Sequence, residues 1–275
     1  MLELRRGLVF GQYVDISSPL QTLDPRVKLL GTAALVAASL ITGSWEGFVV
    51  LAPLVVALQV LSRIPVGYLL RGSRLLIIFL VVILALQVLF YPVGHGAPII
   101  WHWEFLSVSV AGLSAAGLLL LRVAILFWAP TLLLMVTPVV DLSDGVETLF
   151  RPLQRVGVPV NELALVGTIA FKFVPIFTDE AERLATARAA RGAPVDVGGP
   201  IDRGRQLGRL LVPIFIGGFR RADTLTVAMD SRCYRGGAYR TKLRRLSADR
   251  WQWIVLATVT AWCVVAWLVS LLVRV

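Results

Sequence analysis

The sequence predicts an all-α, polytopic membrane protein with about five transmembrane helices and a cytoplasmic domain of amphipathic helices. Composition, apolar runs and charge placement each point to it. Hydrophobic residues make up 57% of the 275-residue chain and its mean hydropathy is +0.79, against about 45–50% apolar content in soluble domains. Charge-poor runs of span length recur, and a helix needs ~20 mostly apolar residues to cross ~30 Å of hydrocarbon. Positive charge is segregated: residues 151–250 hold 18 Lys and Arg against 9 Asp and Glu, which is +9 of the chain's formal +10.

Residues 1–26 read as a polar cytoplasmic segment. The membrane domain follows over residues 27–137, with about four spans. Between residues 29 and 61 the one charge is Glu46, beside Gly43, Ser44 and Trp45, so two short spans joined by a tight turn are expected. A signal peptide at 29–41 is disfavoured by the long polar segment before it. Residues 75–90 form a charge-free third span. Residues 105–136 form a fourth, interrupted only by Arg122; at ~1.5 Å per residue it exceeds one perpendicular crossing and should tilt or project. After a cytoplasmic domain over 138–250, a C-terminal transmembrane helix occupies 251–275, with Trp251 and Trp253 placed for the headgroup belt. Cys233 and Cys263 imply no disulfide framework.

Neither the turn at 43–46 nor the loop at 91–104 contains Lys or Arg, so the positive-inside rule puts both outside. The N-terminus is then cytoplasmic and an odd number of spans takes the C-terminus out. The basic excess suits the anionic lipid bilayer, which attracts juxtamembrane cations by ~1 kcal/mol each. No nucleic-acid-binding module is present, so nucleic acid is not an expected partner.

Within the basic domain, Leu142, Val146, Leu149, Phe150 and Leu153 share one helical face, with Asp141 or Ser143 available as N-cap. A longer helix follows. Residues 163–177 are apolar except for Lys172, residues 179–191 are charged, and Gly192 and Pro194 end the helix. The design repeats after Gly198, Gly199 and Gly204: an apolar part at 210–219, a charged part at 220–235, then Gly236 and Gly237. The two ends align without gaps, Glu182 on Asp223, Leu184 on Leu225, Ala187 on Ala228 and Arg191 on Arg232. Two equivalent elements suit two similar partner subunits. The plainer reading of Arg191 and Arg232 is a cation favoured by the helix dipole at ~0.3–1 kcal/mol. The functional one is a five-donor guanidinium reaching carboxylates or carbonyls of a partner. Pro175 and Pro213 read as bends near the membrane boundary.

At these residues the chain resembles the transmembrane T component of energy-coupling factor (ECF) transporters, the EcfT/CbiQ family, over nearly its whole length. The resemblance is carried by Gly11-Gln12-Tyr13-Val14, Ser18-Pro19-Leu20, the stretch Leu23-Asp24-Pro25-Arg26-Val27-Lys28-Leu29-Leu30, and Leu149-Phe150-Arg151-Pro152-Leu153 with Val156-Gly157-Val158-Pro159. Its most specific part is a pair of arginine-centred motifs on coupling helices, here Ala190-Arg191-Gly192 and Ser231-Arg232-Cys233. The first matches the family's Ala-Arg-Gly pattern; the second departs at both flanks, although Tyr234-Arg235-Gly236-Gly237 follows as in relatives. The resemblance implies a scaffold in the prokaryotic cell membrane whose two motifs dock into two ABC-type ATPase subunits. It also implies that membrane and amphipathic helices hold a small substrate-binding membrane S component of a vitamin importer. ATP is then used by the partner ATPases, and no cofactor is bound directly.

No G-x-x-x-x-G-K-[ST] phosphate loop occurs in the chain, consistent with a non-catalytic subunit. His95, His102 and Glu104 match no strong metal-ligand spacing and read as a polar loop. Arg122 is costly inside a span; carbonyls between helices could satisfy it, or it could centre a polar transport site. The competing functions are a stand-alone secondary carrier or channel around Arg122, a lipid-binding anchor, and the T component of a dedicated cobalt or nickel transporter. Five spans without an inverted repeat count against a carrier.

Overall fold

The computed structural model describes residues 18–65, 67, 74–90, 99–103, 106–192, 199–236 and 248–273. They divide into two compact units, one covering Glu147–Arg245 and the other the helices on either side of it.

Four of the membrane helices start where a polar side chain, Asp24, Ser44, Ser109 or Asp249, accepts from a free N–H. Asp24 accepts from the Arg26 N–H ahead of α1 (Pro25–Ile41), with Pro25 at the first helical position, where no donor is needed. Ser44 accepts from the Gly47 N–H ahead of α2 (Trp45–Ser62), and Glu46 lies in its first turn, favourable to the helix dipole. The tight turn expected from Gly43 to Glu46 is therefore a short link, Thr42 to Ser44, with Glu46 already helical. The third span is α3 (Arg74–Leu89).

The fourth apolar region is not helical throughout. Residues 99–103 (β1, Ile99–Trp103) and 106–109 (β2, Leu106–Ser109) pair as an antiparallel hairpin, with His102 opposite Ser107. Helix α4 (Val110–Val136) begins only where Ser109 caps the Gly112 N–H. Alternation in Leu-Ser-Val-Ser favours a strand locally, and the cap then switches the period. His95 and Glu104 lie outside the described residues. At ~1.5 Å per residue α4 rises about 40 Å, more than one perpendicular crossing.

Helix α5 (Val139–Phe150) starts ahead of the expected caps: Leu142 N–H already bonds Pro138 O, so Asp141 sits within the first turn and neither it nor Ser143 is the N-cap. A 3-10 turn over Arg151–Val156 ends at Gly157, whose φ of +89° only glycine adopts without strain. Leu153 falls in this turn, so the apolar face read as one helix is broken after Phe150. Helix α8 (Arg250–Leu272) closes the membrane unit.

In that unit α8 packs on α1 and α2, while α4 packs on α1, α2 and α3. Leu35, Ala38, Phe48, Leu51, Ile125, Ala129, Cys263 and Ala266 form the core where α1, α2, α4 and α8 meet. Small residues allow close approach, as in membrane helices generally. A Cβ on Gly47 would lie 3.2 Å from the Ala266 carbonyl oxygen and 3.1 Å from Ser270 Cβ. Polar ties lock the same seam: Gly43 N–H donates to Ser270 Oγ (3.1 Å), Asp24 N–H to Gln252 Oε1 (2.9 Å), and Trp262 Nε1 to Val50 O (2.7 Å). The last lies beside the turn that Pro53 deprives of a donor.

The other unit contains α6 (Val160–Ala190) and α7 (Pro200–Ser231). Helix α7 begins at Pro200, so Gly204 is helical and not part of the glycine-rich connection, and it ends at Ser231, short of the expected 235. Both helices continue through their prolines, Pro175 and Pro213. Trp45–Ser62, Val110–Val136, Arg250–Leu272 and Val160–Ala190 are each long and apolar enough to cross a membrane; α1 and α3 are shorter. The apolar stretch of α6 is confined to its N-terminal half, because Asp179, Glu180, Glu182, Arg183 and Arg188 occupy the rest.

Candidate functional site

The two arginine motifs turn out to be the same local structure. Arg191 is the C-cap of α6 and its N–H bonds Arg188 O (3.0 Å); Gly192 follows at φ +77° and bonds Ala189 O (3.1 Å). Arg232 is the C-cap of α7 and its N–H bonds Met229 O (3.1 Å); Cys233 follows at φ +55° and bonds Asp230 O (2.9 Å). Tyr234 N–H then returns to Met229 O (3.1 Å), completing the 6→1 and 5→2 closure of a Schellman end. The left-handed position costs glycine nothing and an L-residue ~1–2 kcal/mol. The flank at which the second motif departs from Ala-Arg-Gly therefore keeps the glycine backbone with a cysteine side chain.

Ala190, Arg191, Gly192, Ser231, Arg232 and Cys233 are all exposed. Neither the Arg191 nor the Arg232 guanidinium has a hydrogen-bond or ion-pair partner among the described residues. Each therefore presents five donors outward from a rigid helix end. The helix dipole adds a favourable but modest field, which explains a cation at this position but not the matched geometry of the two ends.

Helices α6 and α7 run antiparallel where they touch. Arg188 Nη2 donates to Arg209 O (2.9 Å), Ala185 and Leu210 are buried together, and further back on α6 Phe177 faces Gly218, further forward on α7. A Cβ on Gly218 would sit 3.2 Å from the Phe177 ring. Beside it, the Arg221 guanidinium pairs with Glu180 and lies 5.9 Å from the Phe177 ring centre. None of Phe177, Glu180, Gly218 and Arg221 stood out in the sequence: the repeat aligns Glu180 with Arg221 and Phe177 with Gly218 at an offset of 41 residues, but an alignment of equivalent positions does not show that they touch. Outward-facing apolar side chains line both helices, among them Leu163, Val166 and Val174 on α6 and Val212, Phe215 and Phe219 on α7.

Arg122, half-buried on α4, donates from Nε to Ser39 O (3.2 Å) and from Nη2 to Thr42 O (2.8 Å). These carbonyls belong to the C-terminal end of α1, which otherwise leaves acceptors unmet. Among the described residues no group of three or more His, Cys, Asp or Glu is placed to hold a metal ion.

A helical membrane protein that presents paired, unsatisfied arginine caps on crossed helices is the class these features define. The family model described as "Cobalt transport protein" (CbiQ) matches residues 16–243. The chain is 39% identical over 247 residues to the energy-coupling factor transporter transmembrane protein EcfT of Thermosediminibacter oceani, covering 89% of this chain and 92% of that one. It is 35% identical to the EcfT of Clostridium kluyveri over 88% of each chain, and 33% identical to that of Limosilactobacillus fermentum over 92% and 93%. The chain belongs to the CbiQ/EcfT family of energy-coupling factor transporter membrane components.

Proposed function

We propose that this chain is the coupling and scaffold subunit of an ECF-type ABC vitamin importer. Arg191 and Arg232 each anchor one of two ATPase subunits, and the outward apolar faces of α6 and α7 carry a substrate-binding membrane S component. The observation that bears this reading is the identity of the two caps: the same residue, at the same cap position, followed by the same left-handed turn and left without a partner among the described residues. When ATP draws the ATPases together, helix ends held by them must move, and the apolar faces between those ends tip whatever membrane protein rests on them. This requires that the caps bind closed and open ATPase arrangements with different free energies, since equal binding would shift nothing. The basic domain and both motifs lie on the cytoplasmic side, where ATP is available.

A dedicated cobalt or nickel importer is the second reading, favoured by the description of the matching family model. Intact-complex mass spectrometry of the affinity-purified chain separates the two. A vitamin importer yields two ATPases and a small membrane subunit that retains an organic vitamin; a metal importer yields a subunit that retains cobalt or nickel. Isolation of the chain without any ATPase would defeat both.

A further inference from the structure

We infer that Glu180 and Arg221 are a positioning pair: the pivot that fixes the angle between α6 and α7, so that displacement of one arginine cap is carried to the other. This rests on the reading of Arg191 and Arg232 as ATPase anchors.

Placement carries the inference. Arg191 lies eleven positions after Glu180, and Arg232 eleven positions after Arg221. The ion pair thus sits at equal arm lengths, about 16 Å of helix on each side at 1.5 Å per residue. Because the helices are antiparallel here, the arms point away from one another. A pair of equal arms about a fixed point moves both ends equally, as two similar subunits approaching symmetrically require.

Apart from the pair, the crossing is held by a small apolar cluster and by the hydrogen bond from Arg188 Nη2 to Arg209 O, both on one side of it. The buried core of the cluster is Ala185 and Leu210, flanked by Leu184 and Ile214. That cluster keeps the helices together but lies to one side of the pivot, and small apolar contacts resist rotation weakly because they are not directional. The pair supplies direction at the pivot itself, away from the Arg188 bond. Arg221 is pinned through Nη2 to Glu180 and lies near the face of Phe177, whose ring in turn occupies the space left by Gly218. Its Nη1 is buried without a hydrogen-bond partner among the described residues, and among them Glu180 is the carboxylate that holds this guanidinium. The side chains are 32% and 37% exposed, which discounts the pair as a source of overall stability while leaving its geometric role intact.

The test uses the full chain co-purified with its partner subunits in nanodiscs, with genetically encoded ketone residues at the exposed positions Ala187 and Ala228 carrying spin labels. Distance distributions are recorded with ADP and after trapping with ATP and vanadate. The unaltered crossing should give one narrow distribution in each state. Glu180→Gln should broaden it at least twofold in both states while the ATPases remain bound, and the charge exchange Glu180→Arg with Arg221→Glu should narrow it again. A merely stabilising role would lower the melting temperature without this broadening and rescue. A distribution as narrow in Glu180→Gln as in the unaltered chain overturns the inference. Failure of the anchor reading looks different: the ATPases would not co-purify even with the unaltered chain, and the pivot is then read from the distance width in the chain alone.

Discussion

Replacing Arg122 with methionine keeps most of the side-chain volume and removes two charge-assisted hydrogen bonds, to Ser39 O and Thr42 O at the end of α1. Hydrogen bonds to charged groups contribute ~1.5–3 kcal/mol each, so roughly 3–6 kcal/mol is lost. Against this stands the cost of an arginine near the middle of a membrane helix, ~2.5–3.5 kcal/mol, which methionine no longer incurs. The difference leaves Arg122→Met destabilised by about 1.5 kcal/mol. At ~2–4 °C per kcal/mol for a chain of this size, its melting temperature should fall by about 3–6 °C. Arg122→Lys should lie between, because a compact ammonium cannot bridge carbonyls three residues apart with the same fork. Thermal unfolding in nanodiscs, followed by tryptophan fluorescence, measures both. ATPase co-purification should be unchanged, since Arg122 supports a helix end and not a docking site. An unchanged melting temperature in Arg122→Met, together with abolished transport, would show the structural reasoning wrong and return Arg122 to a transport role.

Three further substitutions probe backbone geometry and packing. Cys233→Gly relieves a left-handed L-residue at ~1–2 kcal/mol and returns part of this as backbone entropy. The Tyr234 amide, bonded to Met229 O, should then exchange about fivefold more slowly, the equivalent of ~1 kcal/mol; faster exchange would contradict the conformation described. Gly192→Ala at φ +77° should do the reverse, loosening the end of α6 and weakening capture of one ATPase in a pull-down. Gly47→Ala forces a methyl to 2.5 Å from Thr42 Cγ2 and against Ser270 Cβ and the Ala266 carbonyl of α8, and overpacking there should cost ~1–3 kcal/mol, seen as a lower melting temperature; an unchanged value would show that Thr42 and the seam can give way without loss.

Most of the architecture was legible because membrane spans are written in composition. Charge-poor runs became α1, α2, α3, α4 and α8 within a few residues of their expected limits. The expected helix at 105–109 failed because apolar content alone does not distinguish a strand from a helix over so few residues. The expected N-cap at Asp141 or Ser143 failed because Pro138 O starts the helix earlier than the apolar periodicity reveals. Arg191 and Arg232 were legible from their spacing to preceding acidic residues, but their shared cap geometry was not, since Cys233 gives no hint of a positive φ. The Glu180–Arg221 contact was hidden because neither residue is unusual on its own helix; only the antiparallel approach of α6 and α7 brings them together. Arg122 could be flagged from sequence as an isolated cation, yet its acceptors are backbone carbonyls, which no side-chain pattern announces.

The central claim is that Arg191 and Arg232 each hold one ATPase. The direct measurement is the amount of ATPase retained per chain when the complex is purified with Arg191→Ala, Arg232→Ala and both substitutions, with circular dichroism confirming that α6 and α7 remain helical. The single variants should each lose about half of the ATPase and the double variant nearly all of it, at unchanged helix content. A double variant that keeps its full complement of ATPase would contradict the account.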